Sequence, residues 1–321
     1  MAEYTRRDVL KLAGAAAAGA VLLGACGRRP VEQPPASLEQ RASAPPAAAG
    51  GAPVARLAIA RGADPAAITA AAVDALGGMK RFVKSGADVV VKPNICTDYH
   101  GPEYASTTNP VVVATLVALA LKAGAKRVRV MDNPFGGPPE SAYQNSGIAA
   151  AVEAAGGTMQ VMSPVKYGRY AIPQGRSISS WDVYDDVLSC DTLINVPIAK
   201  THGSAVLTLG GKNLMGVILD PGQFHSDLAQ RIADLTSLVR PQLTVVDAVR
   251  ILAHGGPTGG DLADVVRKDT VVASNDIVAA DAWSTSLFGL TPRDVPYVPA
   301  MAALGLGSMT VPAKETATIR L

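Results

Sequence analysis

The chain has 321 residues, nearly half of them apolar, with 29 basic residues against 27 acidic ones. That length suits one large domain or two small ones, and the near balance of charge, without a basic block or an aromatic-interleaved stripe, argues against a nucleic-acid partner. Three cysteines and no C-x-x-C exclude a protein-ligated iron–sulfur cluster and a four-cysteine zinc site.

The chain opens on Thr5-Arg6-Arg7-Asp8-Val9-Leu10-Lys11, which matches a twin-arginine export signal. No charge follows from Leu12 to Ala25. As a helix that stretch would span ~21 Å against a hydrocarbon core of ~30 Å, so a cleavable signal is favoured over a transmembrane anchor. Leu23-Gly24-Ala25-Cys26 resembles the lipobox of bacterial lipoproteins, in which Cys26 is acylated and begins the mature chain. Plain cleavage with Cys26 an unmodified thiol is the alternative. Residues 1–25 are therefore read as a twin-arginine signal peptide with lipobox. The expected location is the cell envelope or periplasm, membrane-anchored through lipid on Cys26. Twin-arginine passengers travel folded, many with a cofactor already inserted. Residues 26–53, rich in Pro and Ala without apolar periodicity, read as a flexible tether. Cys96 and Cys190 are expected either as one disulfide or as two buried thiols.

Residues 54–321 alternate strand and helix patterns. Val54–Ala60 reads as a strand; Asp64-Pro65 then caps a helix carrying Ile68, Ala72, Leu76 and Met79. Asp88–Lys92 is a second strand. Asn109-Pro110 opens a helix through Ala123, closed by Gly124. Lys126–Asp132 is strand-like, Ala142–Ala155 helical and Thr158–Met162 strand-like again. Asp191–Ile198, Leu243–Asp247 and Thr270–Ser274 are further strands, with helices over Phe224–Val239 and from Asp276 to Phe288. The pattern predicts an α/β fold, a mostly parallel sheet flanked by helices on both faces, with a bilobed variant left open.

In such sheets ligands bind beyond the carboxyl ends of the strands. Several predicted strands end in polar residues there: Lys92-Pro93-Asn94, Asp132-Asn133, Lys200-Thr201-His202 and Asp247. Turn chemistry accounts for Asn133 and Pro93 but less well for Lys92, Lys200 and His202. Between Ala199 and Gly222, Gly210-Gly211 lets backbone approach a ligand, with Lys212 and Asn213 beside it as donors. It is not a Walker A loop, because Val206 stands where that motif needs glycine and Asn213 where it needs Ser or Thr. A structural glycine turn is the competing reading. The ligand-binding candidates are Lys92, Asn94, Asp132, Lys200, His202, Gly210, Gly211, Lys212 and Asn213, with lysines neutralising a small anion. His202 and His225 with Asp247 form a candidate metal site without a recognised ligand spacing; His254 lies in a glycine-rich segment, and His100 reads as a surface residue. No cofactor other than such a metal ion is suggested. Templates for serine hydrolases, zincins and dinucleotide binding are absent. Asp276 reads as a first-turn residue, whereas Asp281, mid-helix among Ala279, Ala280 and Trp283, lacks such an explanation.

VVVKPN at Val89–Asn94, Lys200-Thr201-His202, GGKNLMG at Gly210–Gly216, Leu243–Asp247 with Pro241, and SNDIVAAD at Ser274–Asp281 together resemble the uncharacterised DUF362 family, over roughly Val54 to Gly307. Many members carry an added cysteine-bearing ferredoxin-like segment, which this chain lacks. The run from His202 across Gly210-Gly211 to Lys212 is also similar to a stretch of nickel-pincer lactate racemases. That second resemblance implies a lysine that holds the cofactor covalently and a further histidine on nickel, a place His225 would have to take. Two functions are expected from these readings. One is an exported lipoprotein binding a small anion or metal at the Lys/His/Gly rim, with redox or isomerising chemistry as its enzymatic form. The other is a non-catalytic envelope partner or assembly factor whose glycine segment is only structural.

Overall fold

The computed structural model describes residues 30–35, 38 and 54–321; the export signal, the lipobox and Cys26 lie outside them. In chain order the domain runs β1 (Leu57–Arg61), α1 (Pro65–Ala75), β2 (Asp88–Pro93), α2 (Pro110–Ala123), β3 (Arg127–Val130), α3 (Pro139–Asn145), α4 (Ile148–Ala154), β4 (Thr158–Met159), β5 (Tyr167–Ala171) and β6 (Ser180–Tyr184). It continues through α5 (Asp185–Ser189), β7 (Thr192–Val196), β8 (Ile198–His202), β9 (Val206–Thr208), α6 (Gly210–Asn213), α7 (Leu228–Val239), β10 (Leu243–Leu252), β11 (Val265–Ser274), α8 (Ile277–Ser284), α9 (Tyr297–Ala303) and β12 (Thr316–Arg320).

Ten strands form one sheet in the order β12-β1-β11-β10-β7-β2-β3-β4, with β8 paired to β10 and β9 to β8. β10, β7, β2, β3 and β4 are parallel neighbours, whereas β11 runs antiparallel to both β1 and β10. The valines of β2 show why the sheet is covered twice. Val89 and Val91 face a core built with α1, α2 and α4, while Val90 faces the opposite core with α7, α8 and α9. All three are fully buried, as the unbroken apolar run requires.

Local signals place the helices. Asp64 accepts from the amides of Ala66 and Ala67, and Asn109 from Val111, so both predicted caps are made. Gly124, at φ 108°, closes α2. The helix expected over Ala142–Ala155 is instead two, α3 and α4, because Gly147 takes the left-handed conformation at φ 71°. The hairpin β5–β6 forms a separate two-stranded sheet, yet Tyr167, Tyr170, Val183 and Tyr184 pack into the α7–α9 core. It therefore adds no second lobe.

The segment read as a tether is docked in part. The Glu32 amide donates to Arg169 O at 2.7 Å, and the Ala171 amide returns a bond to Glu32 O at 2.9 Å, so Glu32 lies along β5. Leu38 is buried in the same core as the hairpin. Composition alone gave no hint of this, because the edge of β5 that receives Glu32 belongs to a hairpin the sequence pattern did not reveal.

Candidate functional site

The parallel strands bring their carboxyl ends to one edge. Lys92 is the penultimate residue of β2, Asp132 follows β3 by two residues, Asn195 is near the end of β7, and Lys200 and His202 lie on β8. Lys200 and His202, two apart on a strand, share a face. Thr201 points the other way, where its hydroxyl meets Leu252 O and the Gly256 amide.

The centre is a buried ion pair. Lys92 Nζ donates to Asp132 Oδ1 at 2.6 Å, to Asn213 Oδ1 at 3.3 Å and to Pro93 O at 2.9 Å. Asp132 also accepts from the Ile95 and Asn133 amides. Burial pulls the Lys92 ammonium down and pushes the Asp132 carboxyl up, and each partner opposes the other's shift. Asn213 is the hub: its Oδ1 accepts from Asn94 Nδ2 at 3.0 Å as well as from Lys92, and its Nδ2 donates to Asn195 Oδ1 at 2.8 Å. Asn94 Oδ1 is buried and has no partner among the described residues.

Lys200 is equally committed. Its Nζ donates to Ser106 O at 2.6 Å and Pro257 O at 2.8 Å, and lies 3.3 Å from Cys96 Sγ. Cys96, expected from the sequence as a disulfide half or a buried thiol, is a buried free thiol and belongs to this rim. Cys190 lies elsewhere, at the end of α5, where it donates to Val187 O.

Lys212 differs from both. An ammonium has three donors. Lys92 and Lys200 each meet three acceptors, whereas Lys212, half-buried, has no hydrogen bond or ion pair among the described residues. Burial first, then the charges of Lys200 and Lys92, lower its pKa to about 8. His202 is lowered to about 3 by burial, then Lys212 and Lys200, so it is neutral at pH 7. Its Nδ1 accepts from the Ser204 and Ala205 amides, which puts the ring proton on Nε2.

Two expectations are revised by this geometry. The amides of Gly210 and Gly211 do not face the rim as free donors; they donate to Asp281 at 2.6 and 2.8 Å. The mid-helix aspartate thus satisfies internally the two donors expected to meet a ligand. A Cβ on Gly210 would sit 2.7 Å from Asp281 Oδ1, which is why glycine stands there. Burial raises the Asp281 carboxyl to about 7, against the lowering effect of the two amides. The proposed metal triad is not assembled either, and no group of three potential ligands occurs among the described residues. Asp247 accepts from the Asn109 and Val249 amides, and His225 Nδ1 faces Pro221 O and Gly222 O. Each of these two side chains is already engaged by backbone groups, Asp247 by one from 138 residues away.

Gly216, Asn195, Cys96 and the role of Asp281 were not identified from sequence. Gly216 carried a signal in hindsight, as the last glycine of GGKNLMG: a Cβ there would lie 2.0 Å from Asp132 Oδ1 and 2.6 Å from Lys92 Nζ.

The thylakoid-associated protein sll1697 of Synechocystis sp. is 28% identical over 246 residues, 73% of each chain. Among solved structures, the lactate racemase apoprotein from Thermoanaerobacterium thermosaccharolyticum aligns with TM-score 0.44 at 10% identity, covering 68% of this chain and 54% of that one. A Thermotoga maritima protein aligns with TM-score 0.37 at 14% identity, covering 58% and 51%. The chain thus spans about half the length of these two solved chains. The family model described as Domain of unknown function (DUF362) matches residues 89–286, more than half of the chain, including the rim from Lys92 to Asn213 and the Asp281 that braces it, and the chain belongs to that family.

Proposed function

We propose that this protein binds a small anion at the rim of Lys92, Asn94, Lys200, His202, Lys212 and Asn213, with Lys212 making the principal charged contact. One observation carries the reading: among the described residues, only Lys212 of the three clustered lysines has uncommitted donors, and Asp132 is the one carboxylate ion-paired within the cluster. The excess positive charge in a partly desolvated setting favours an anion. Asp132 and Asn213 position Lys92 and Asn94, and the glycines allow the close packing that holds them.

The test is calorimetric titration of the full chain with small carboxylates and with inorganic phosphate. Lys212→Met should abolish binding of whichever anion the native chain takes. It should leave the unliganded melting midpoint almost unchanged, since no bond of the Lys212 side chain is lost. An unchanged affinity in the variant would refute the assignment.

A second reading, a docking role for a protein partner, is favoured by Tyr99 and Phe135, which are 57% and 61% exposed on the loops following β2 and β3. These loops are tied to each other by the Phe135 amide on Cys96 O and the Asp98 amide on Gly136 O. Replacing both aromatics with serine would release a co-purifying partner under this reading and leave anion titration unaffected under the first. Export by the twin-arginine route and lipid attachment at Cys26 belong to the same proposal and rest on the sequence motifs.

A further inference from the structure

We propose that Lys212 is a nucleophile that captures a carbonyl-bearing acid, an aldehyde or ketone carrying a carboxylate, as an imine within the anion site. This inference rests on the anion-site reading and assigns the ligand's chemical class. Three features of the rim lead to it. The Lys212 amine meets no acceptor among the described residues, so none of their hydrogen bonds or ion pairs has to be broken before its lone pair can react. Two cations, Lys92 and Lys200, stand close enough to act on its charge and disfavour its protonation, an arrangement that activates lysine amines. The same two cations and the Nε2 proton of His202 remain to attract the ligand's carboxylate once Lys212 has become neutral.

The step balances without any further reactant. The neutral Lys212 Nζ lone pair adds to the carbonyl carbon while the carbonyl oxygen takes a proton. The resulting carbinolamine loses its hydroxyl as water, and a carbon–nitrogen double bond replaces the carbon–oxygen one. His202 is neutral with its proton on Nε2, so it is a candidate to donate a hydrogen bond to that oxygen without adding charge. With a pKa of about 8, Lys212 presents a free-amine fraction at neutral pH roughly 300-fold above that of an ordinary lysine.

The experiment treats the full chain with glyoxylate and cyanoborohydride, which reduces an imine to a stable carboxymethyl-amine, and maps modified lysines by peptide mass spectrometry against time and pH. Glycolate, an anion of similar size with no carbonyl, is titrated in parallel. The expected result is modification of Lys212 at least tenfold faster than of the exposed lysines, with a pH midpoint near 8, and protection of Lys212 by glycolate. Glycolate binding with no preferential modification of Lys212 would overturn the imine while leaving the anion site standing. Neither binding nor preferential modification would overturn both. Lys212→Arg, which keeps the charge, should bind glycolate and lose the fast-reacting site; a fast adduct that persists elsewhere in that variant would also sink the assignment.

Discussion

Among single residues, the buried Lys92–Asp132 pair and the Asp281 carboxylate make the most distinct predictions. Asp132→Asn removes the charge facing a lysine that is fully buried and leaves the Ile95 and Asn133 amides competing for one amide oxygen. Breaking a buried pair from one side costs about 3–5 kcal/mol. Replacing both partners with apolar residues of similar volume should cost less than the two single losses combined, because no charge is then stranded. Urea unfolding of the four proteins of that cycle provides the measurement; additive losses would show that the two side chains are not coupled. Asp281 sets a pH dependence of defined sign. Folded, it keeps its proton up to about pH 7, whereas the unfolded chain releases it near 3.8. Between those values folding takes up a proton, so this contribution is fully present below about pH 4 and is lost as pH rises through about 7. The span amounts to at most about 4 kcal/mol. Asp247, raised to about 6, acts in the same sense, while His202, lowered to about 3, acts in the opposite one. The measurable quantity is therefore the difference between native chain and Asp281→Asn. The native chain should lose stability relative to the variant from pH 4 to 7, and parallel curves would show that Asp281 does not titrate there.

At the scale of elements, the GGKNLMG block is a joint: it packs α6 against α8 through Gly210 and admits the Lys92–Asp132 pair through Gly216. Gly216→Ala should destabilise the fold by about 3 kcal/mol or more, since the methyl would overlap a buried carboxylate and break its ion pair. Gly203→Ala, where a Cβ meets nothing within 4 Å, should stay within about 0.5 kcal/mol. Similar losses at the two positions would contradict this account of the block. The same contrast explains what could be read in advance. Strands β2, β7 and β10 were legible because their apolar runs are bounded by turn residues and buried on both faces, and β3 because basic and apolar residues alternate along it. Helices α1 and α2 were legible because Asp64, Asn109 and Gly124 announce their ends. Lys92, Asn94, Asp132, Lys200 and His202 were legible as strand ends, and Lys212 and Asn213 as donors beside the Gly210-Gly211 pair. The partners of Gly210 and Gly211 were not legible, because Asp281 comes to them from 70 residues away along the chain. The β5–β6 hairpin was missed for a different reason: Tyr167–Ala171 mixes glycine and arginine among its tyrosines and shows no apolar alternation.

For the whole molecule, the docking of Glu32 on β5 constrains how a lipid-anchored form would stand on a membrane. No helix of the described residues is long and apolar enough to cross a bilayer; in the proposed lipoprotein the anchor is the acyl group on Cys26. From Cys26 to Glu32 is six residues, which reach about 20 Å when fully extended. The β5–β6 hairpin would then sit close to the lipid surface, rather than at the end of a free linker running to residue 53. Cys26→Ser should abolish incorporation of labelled fatty acid and release the protein from the membrane fraction. With the anchor intact, a fluorophore at exposed Lys166, next to β5, should transfer energy efficiently to an acceptor on the bilayer surface. Replacing Glu32 with proline, which has no amide hydrogen to donate to Arg169 O, should weaken the docking and lower that transfer while fatty-acid incorporation continues. Low transfer in the lipidated native chain, unchanged by the proline, would show that the Glu32 contact does not hold the domain near the membrane.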